Sequence, residues 1–467
     1  MPFCKYLLLT LCVITMSCSK PSTTYDVVIK GGRVMDPSSS TDKIMNVGIL
    51  DGQIAALSEE EMSGTTTIDA TGLVVAPGFI DLHEHGMTDE TYGIMVRDGV
   101  TTAFELEVGT DSVAKWYAAR EGGRYVNYGV SAGHIRVRMN VLGDQGAFLP
   151  SDKAITDKAT PEQIASMQSL LAKGLKEGAV GVGFGMAYTP GATVEEFEAM
   201  LTIAKQNKAT SFIHARSGLD GIKEAITSAT AIGTPLHIVH INSSGGAQTS
   251  EALQLIQEAR DQGHDITTEA YPYEAGMTRI ESALFDGWEQ WSDEQIAIHQ
   301  WPETGEFLNR ESFARYRAQG GGIIIHSRTE AMTMTAIASP LSMIASDGFL
   351  ADGKGHPRTS GTYSKVLGKY VRELKVMTLM EALAKMTLQP AQRLETFAPQ
   401  MAKKGRLQVG ADADITLFNA DEVIDQSTYM EPTLAPKGIP YVLVGGKIVI
   451  QEGQLNEAVR PGVAIRN

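Results

Sequence analysis

Short apolar runs open and close this chain, and its middle alternates apolar strands with amphipathic helices. Between Tyr25 and Ile80 the runs are Asp26-Val27-Val28-Ile29-Lys30, Asn46-Val47-Gly48-Ile49-Leu50 and Leu73-Val74-Val75. Gly31-Gly32, Asp51-Gly52 and Thr71-Gly72 separate them, and such pairs mark hairpins and tight turns. The style returns between Gly405 and Val449, in Ala413-Asp414-Ile415-Thr416-Leu417-Phe418 and in Tyr441-Val442-Leu443-Val444. The two ends together predict one small β-sandwich domain, over residues 24–75 plus 401–467.

In the middle, Thr160-Pro161-Glu162-Gln163 supplies an N-cap, a proline at the first helical position and a glutamine at the third. Ile164, Met167, Leu171 and Leu175 follow at helical spacing. The strand Val180-Gly181-Val182-Gly183-Phe184 comes next, then a helix capped by Thr193 with Val194, Phe197 and Leu201 on one face. Strands regularly spaced by helices require a parallel sheet, and about eight such units close into a barrel. The expected fold class is α/β, a (β/α)8 TIM-like barrel over residues 76–400.

Polar residues at the ends of the apolar strands carry the chemistry. Gly78-Phe79-Ile80-Asp81-Leu82-His83-Glu84-His85 places two histidines on one face of a strand, since residues i and i+2 project together. Ser211-Phe212-Ile213-His214, Leu236-His237-Ile238-Val239-His240 and Ser342-Met343-Ile344-Ala345-Ser346-Asp347 also end in ligand-type residues. Ligands at successive strand ends describe a site on the C-terminal face of a barrel. His83, His85, His214 and His240 are the expected metal ligands. His237, three residues before His240, is expected to face away. His264, His299 and His356 read as surface or loop residues, and nothing marks His134 or His326 as ligands.

The second strand, Gly99-Val100-Thr101-Thr102-Ala103-Phe104-Glu105-Leu106-Glu107-Val108, puts two carboxylates into an apolar strand, where burial is costly unless they are paired or bind metal. Glu107, nearer the strand's C-terminal end, is the preferred ligand, with Glu105 as the alternative and a structural ion pair as the competing reading. A carboxylate at Asp347 can take a proton from water and pass it to a leaving nitrogen.

A net charge of −15, with no basic cluster, argues against nucleic acid as a partner. Lys5, the apolar run Tyr6–Met16 and Ser17-Cys18-Ser19 have the layout of an export leader over residues 1–18. The small residue before Cys18 resembles a bacterial lipobox, so an exported, periplasmic or lipid-anchored protein is expected. Cys4, Cys12 and Cys18 all lie in this leader, leaving His, Asp and Glu as the metal-binding residues of the rest.

The chain resembles the amidohydrolase superfamily, and within it the D-aminoacylase (N-acyl-D-amino-acid deacylase) family. The resemblance runs through Ala76-Pro77-Gly78-Phe79-Ile80-Asp81-Leu82-His83-Glu84-His85, Gly178-Ala179-Val180-Gly181-Val182-Gly183-Phe184-Gly185-Met186-Ala187-Tyr188, Glu269-Ala270-Tyr271-Pro272-Tyr273-Glu274-Ala275-Gly276, Ser346-Asp347-Gly348 and His356-Pro357-Arg358. It implies one or two Zn2+ ions held by His83, His85, His214 and His240, with Asp347 as catalytic acid/base. It also implies Arg358 as the partner of a substrate α-carboxylate, with Tyr273 nearby.

Two departures stand out. The cysteine that the family places after the second strand is missing, so Glu107 or Glu105 would replace it. The lysine that acidic-substrate relatives carry after the sixth-strand histidine is Asn242 here, which implies a neutral side-chain subsite. Trp288, Trp291, Trp301 and Phe307 either form an aromatic lid over that subsite or pack a loop onto the barrel. The implied activity is hydrolysis of an N-acyl-D-amino acid or related dipeptide. The alternatives are opening of a cyclic amide, or a lipoprotein that binds metal or peptide without turnover.

Overall fold

The computed structural model describes Met1 and residues 23–467. The expected leader, apart from Met1, lies outside the described residues, as do all three cysteines.

Eight parallel strands make the barrel wall: β1 (Phe79–Asp81), β2 (Val100–Thr110), β3 (Asn127–Gly133), β4 (Val182–Gly185), β5 (Ser211–His214), β6 (Leu236–Ile238), β7 (Ile266–Ala270) and β8 (Ser342–Ile344). Each pairs with the next in chain order. The seam between β8 and β1 closes just beyond their ends, where His85 N donates to Gly348 O at 2.8 Å. There Asp81 Oδ1 accepts from both His83 N and Ser346 N at 3.0 Å, tying the first strand to the last.

The helices follow the sequence signals. Pro161–Lys176 begins with a full capping box between Thr160 and Gln163, and Val194–Asn207 is capped by Thr193. Their apolar faces join one large core around the strands, while Ile80, Leu82, Phe104, Leu106, Phe212, Val239 and Met343 form a separate cluster with Ile465.

The chain ends meet in a nine-stranded sheet. Thr24–Asp36 pairs antiparallel with Thr41–Leu50 and parallel with Val74–Pro77, and the last of these pairs antiparallel with Ile415–Phe418. Val27, Ile29, Val47, Ile49, Ile415, Leu417 and Leu443 share one core, so neither end buries its apolar face alone. The residues after this sheet depart from the expected division. Gly462 and Ala464 bridge to Arg124 and Tyr128, the Tyr117 hydroxyl donates to Ile465 O at 2.6 Å, and fully buried Ile465 packs with the barrel cluster.

Between β7 and β8 the chain inserts a three-stranded antiparallel sheet of Gly276–Arg279, Gly322–Ile325 and His299–Gln300. This is where the aromatic stretch falls. Trp301 stacks on Tyr316 at 4.0 Å and Trp288 lies 5.0 Å from Phe313, within a core shared with Ile280, Phe285, Ile296 and Leu308. Phe307 is 55% exposed. The tryptophans therefore do not form a lid; they supply the insertion with a core of its own, which Phe307 does not join.

Candidate active site

The strand ends converge on one cluster. His83 and His85 follow β1, Glu107 lies on β2, His214 ends β5, and His240 and Asp347 stand just past β6 and β8. His83 Nε2 and His85 Nε2 are 3.1 Å apart, as are His240 Nε2 and His214 Nδ1. Glu107 lies between the two pairs, with Oε2 3.0 Å from His83 and 3.3 Å from His240, and Oε1 3.3 Å from His214. Asp347 Oδ1 is 3.5 Å from His83 Nε2 and 3.3 Å from His85 Nε2. Two backbones are strained here: His240 has φ 35° and Asp347 φ 53°, a region that residues other than glycine rarely adopt. Gly183 brings β4 close, since a Cβ there would lie 2.4 Å from the Glu107 carbonyl oxygen.

The donor set fits a divalent metal. Three groups of ligand atoms, His83–His85–Glu107, His83–His240–Asp347 and Glu107–His214–His240, each lie within 4.8 Å. Glu107 Oε2 is buried and makes no hydrogen bond despite two nearby imidazoles, as expected of an oxygen shaped for a cation. Burial alone would raise the Glu107 carboxyl, but His214, His240 and His83 more than offset it and hold it well below the usual range. Imidazole and carboxylate donors without sulfur suit Zn2+.

The outward nitrogens are held from behind. Glu269 Oε1 meets His83 Nδ1 at 2.5 Å, Glu105 Oε2 meets His85 Nδ1 at 2.6 Å, and the Ser244 hydroxyl lies 3.1 Å from His240 Nδ1. Such partners fix the tautomer and aim the other nitrogen at the centre. Of the two candidate glutamates, Glu107 thus joins the cluster, and Glu105 backs a histidine while accepting from Val108 N and Gly109 N.

Glu269 was not marked as a site residue in the sequence; a carboxylate within the barrel strand Ile266-Thr267-Thr268-Glu269-Ala270, with the burial argument already applied to Glu105 and Glu107, could have marked it. Its other oxygen meets His237 Nε2 at 3.0 Å. Burial opposes its ionisation, yet His83 and His237 hold its carboxyl down near 2. His237 thus stays out of the ligand cluster, as expected, but its ring turns toward Glu269 behind His83 rather than away from the site. The strand ends at Ile238 and the left-handed turn at His240 breaks the alternation, so both histidines serve one site. His299 and His356 are also buried rather than superficial; His356 Nδ1 accepts from Arg358 N at 3.1 Å.

The expected substrate residues fare differently. Arg358 is fully buried, with Nη1 2.8 Å from Asp347 Oδ2 and its guanidinium 4.6 Å over the Tyr271 ring. It lies behind Asp347 and not on the cavity wall. Burial would push Asp347 up, but Arg358 and then His83 outweigh it and keep the carboxyl below its ordinary range.

Tyr273 turns away, donating from its hydroxyl to Asp425 at 3.2 Å, and Tyr271 takes the place on the wall. Asn242 is buried and donates to Tyr271 O at 3.0 Å, leaving Ser243 and Ser244 on the wall. The cavity measures about 210 Å³ and opens over His85, Glu107, His214, His240 and Asp347. Phe148 and Phe349, stacked at 5.9 Å, cover the His85 side. The neutral subsite inferred from Asn242 rested on the missing lysine alone. Arg216, Arg279 and Arg328 stand on the cavity wall, so the inference loses its basis.

Comparisons agree with this geometry. The amidohydrolase family matches residues 138–450. The N-acyl-D-glutamate deacylase of Alcaligenes xylosoxydans xylosoxydans is 31% identical over 94% of this chain and 96% of its own length. The D-aminoacylase of the same organism is 29% identical over 92% and 96%. Among solved structures, the N-acyl-D-glutamate deacylase of Bordetella bronchiseptica, complexed with zinc and a phosphonate mimic of the tetrahedral intermediate, superposes with a TM-score of 0.83. It shares 27% identity, over 95% of this chain and all of that one.

Proposed function

Because this chain belongs to the amidohydrolase family, we propose that it is a zinc-dependent hydrolase that removes the acyl group from N-acyl-D-amino acids. The carrying observation is the position of Asp347, on the cavity wall within 3.5 Å of two imidazole nitrogens and paired behind with Arg358. A protein that only bound metal would have no need of a base-competent carboxylate there. A cation held by the histidines and Glu107 would polarise the amide carbonyl and let water ionise near neutrality.

The remaining work falls to the chain. Arg358 keeps Asp347 ionised and fixes its Oδ2, leaving Oδ1 free toward the histidines. Oδ1 receives the proton of the attacking water and returns it to the amide nitrogen as the C–N bond breaks. Glu269 and Glu105 hold His83 and His85 in the tautomer that carries its proton on Nδ1, which leaves the Nε2 lone pairs aimed at the centre, where a bound cation would occupy them. The D configuration and the choice of zinc are supported by the two deacylase relatives and the zinc-bound neighbour.

The test uses zinc-loaded protein on N-acetyl-D- and N-acetyl-L-amino acids, dipeptides and cyclic amides. Turnover confined to the N-acetyl-D series, abolished by a chelator and restored by zinc, is expected. Turnover only of a cyclic amide or a dipeptide would replace the proposed substrate class, and no turnover at all would favour a binding protein.

A further inference from the structure

Four arginines surround the cavity, and three already have a counter-charge. Arg358 pairs with Asp347 at 2.8 Å, Arg216 Nε with Glu224 at 3.0 Å, and Arg279 Nε with Glu281 at 2.5 Å. Arg328 has no carboxylate partner among the described residues. It follows the insertion's last strand, lines the cavity, and donates only to neutral hydroxyls: Nη2 to Tyr271 at 2.7 Å and Nη1 to Ser243 at 3.3 Å. Its Nε is buried without a partner. A partly buried cation left in this state is costly until an anion arrives.

Space for that anion is present. Gly276 faces the guanidinium, and a Cβ there would lie 3.4 Å from Nη2, 3.5 Å from Nη1 and 3.1 Å from the Tyr271 hydroxyl. Such a β-carbon would only touch the fork; the room for an anion is the cavity that Arg328, Ser243 and Tyr271 line. The Tyr271 ring carries Arg328 at 5.1 Å and Arg358 at 4.6 Å, which ties the wall cation to the one behind Asp347.

We propose that Arg328, with the Ser243 and Tyr271 hydroxyls, is the specificity-determining anchor for a carboxylate of the substrate. The assignment rests on the deacylase reading above and moves carboxylate recognition from enclosed Arg358 to a residue that faces the cavity. A planar guanidinium fork matches a carboxylate with two parallel hydrogen bonds, which lysine cannot reproduce.

The experiment compares wild type, Arg328→Gln and Arg328→Lys on three substrates: N-acetyl-D-leucine with only an α-carboxylate, N-acetyl-D-isoglutamine with only a side-chain carboxylate, and N-acetyl-D-leucinamide with neither. Arg328→Gln is expected to lower kcat/KM about tenfold or more, mainly through KM, on at least one carboxylate substrate. Leucinamide should change less than about twofold, and zinc content should stay at the wild-type level. Loss on leucine alone assigns the α-carboxylate; loss on isoglutamine alone assigns the side chain.

Arg328→Lys keeps the charge, so it guards against misfolding of the glutamine variant, and it should show a smaller loss with the same substrate pattern. Equal losses on all three substrates, or none on any, would overturn the assignment while leaving the deacylase reading intact. Absence of wild-type turnover on all three would remove that reading and the anchor with it.

Discussion

The cavity has two walls with different origins. One consists of barrel strand ends, where each cluster histidine meets an oxygen or nitrogen partner within 3.3 Å and the carboxylates behind them are buried. The other comes from the insertion between β7 and β8, which has its own aromatic core and presents Met277, Thr278, Arg279 and Ile325 to the cavity, with Arg328 just beyond its last strand. The first wall is locked into the eight-stranded frame, so it can vary little without losing the barrel. The second is anchored by a separate core and can change its surface independently. On the proposed reading the reacting groups lie on the first wall and Arg328 of the carboxylate anchor beside the second, with Ser243 and Tyr271 reaching the anchor from the ends of β6 and β7.

Asp347→Asn tests the barrel wall most severely. We expect kcat to fall about 10²- to 10⁴-fold with zinc retained. The change also leaves Arg358 buried without its counter-charge, so Tm should fall as well. A loss under about tenfold would remove Asp347 from the proton path.

Glu269→Gln should weaken zinc binding about 10- to 100-fold, measured by competition with a chelator, because Glu269 touches the site only through His83. His237→Ala, one step further out, should do less. If both changes had equal effects, the chain of contacts from His237 through Glu269 would not order the site.

Trp301→Ala probes the other wall. Emptying its place against Tyr316 should cost the insertion about 3–5 kcal/mol. KM should then rise several-fold with zinc content unchanged. Loss of zinc in this variant would show that the two walls are not separable.

The strand-end histidines and Asp347 were legible in the sequence because their signal is local: an apolar run followed by a ligand residue, repeated along the chain. The capped helices from Thr160 and Thr193 were readable for the same reason. The position of His237 was not, since alternation holds only while the strand lasts and His240 breaks it. Tyr273 and Asn242 were misplaced because a short motif says which residues are neighbours but not which one faces the cavity.

Glu269 was hidden because its partners, His83 and His237, come from distant segments and meet only when the barrel closes. The insertion escaped notice for a different reason. Its strands are two to four residues long, and its tryptophans fit a lid and a core equally well until their neighbours are known.

The pairing of Val74–Pro77 with Ile415–Phe418 sets the timing of the protein's assembly. During synthesis the early strand must wait with one edge open while the whole barrel emerges, an interval on the order of half a minute at ribosomal speed. For that time the nascent chain carries a template for unwanted strand addition, next to an apolar face that its late-arriving partner has yet to cover. Slow, long-range closure of this kind makes the newborn protein a natural client for chaperones, and overexpression should punish it before any defect in the finished enzyme shows.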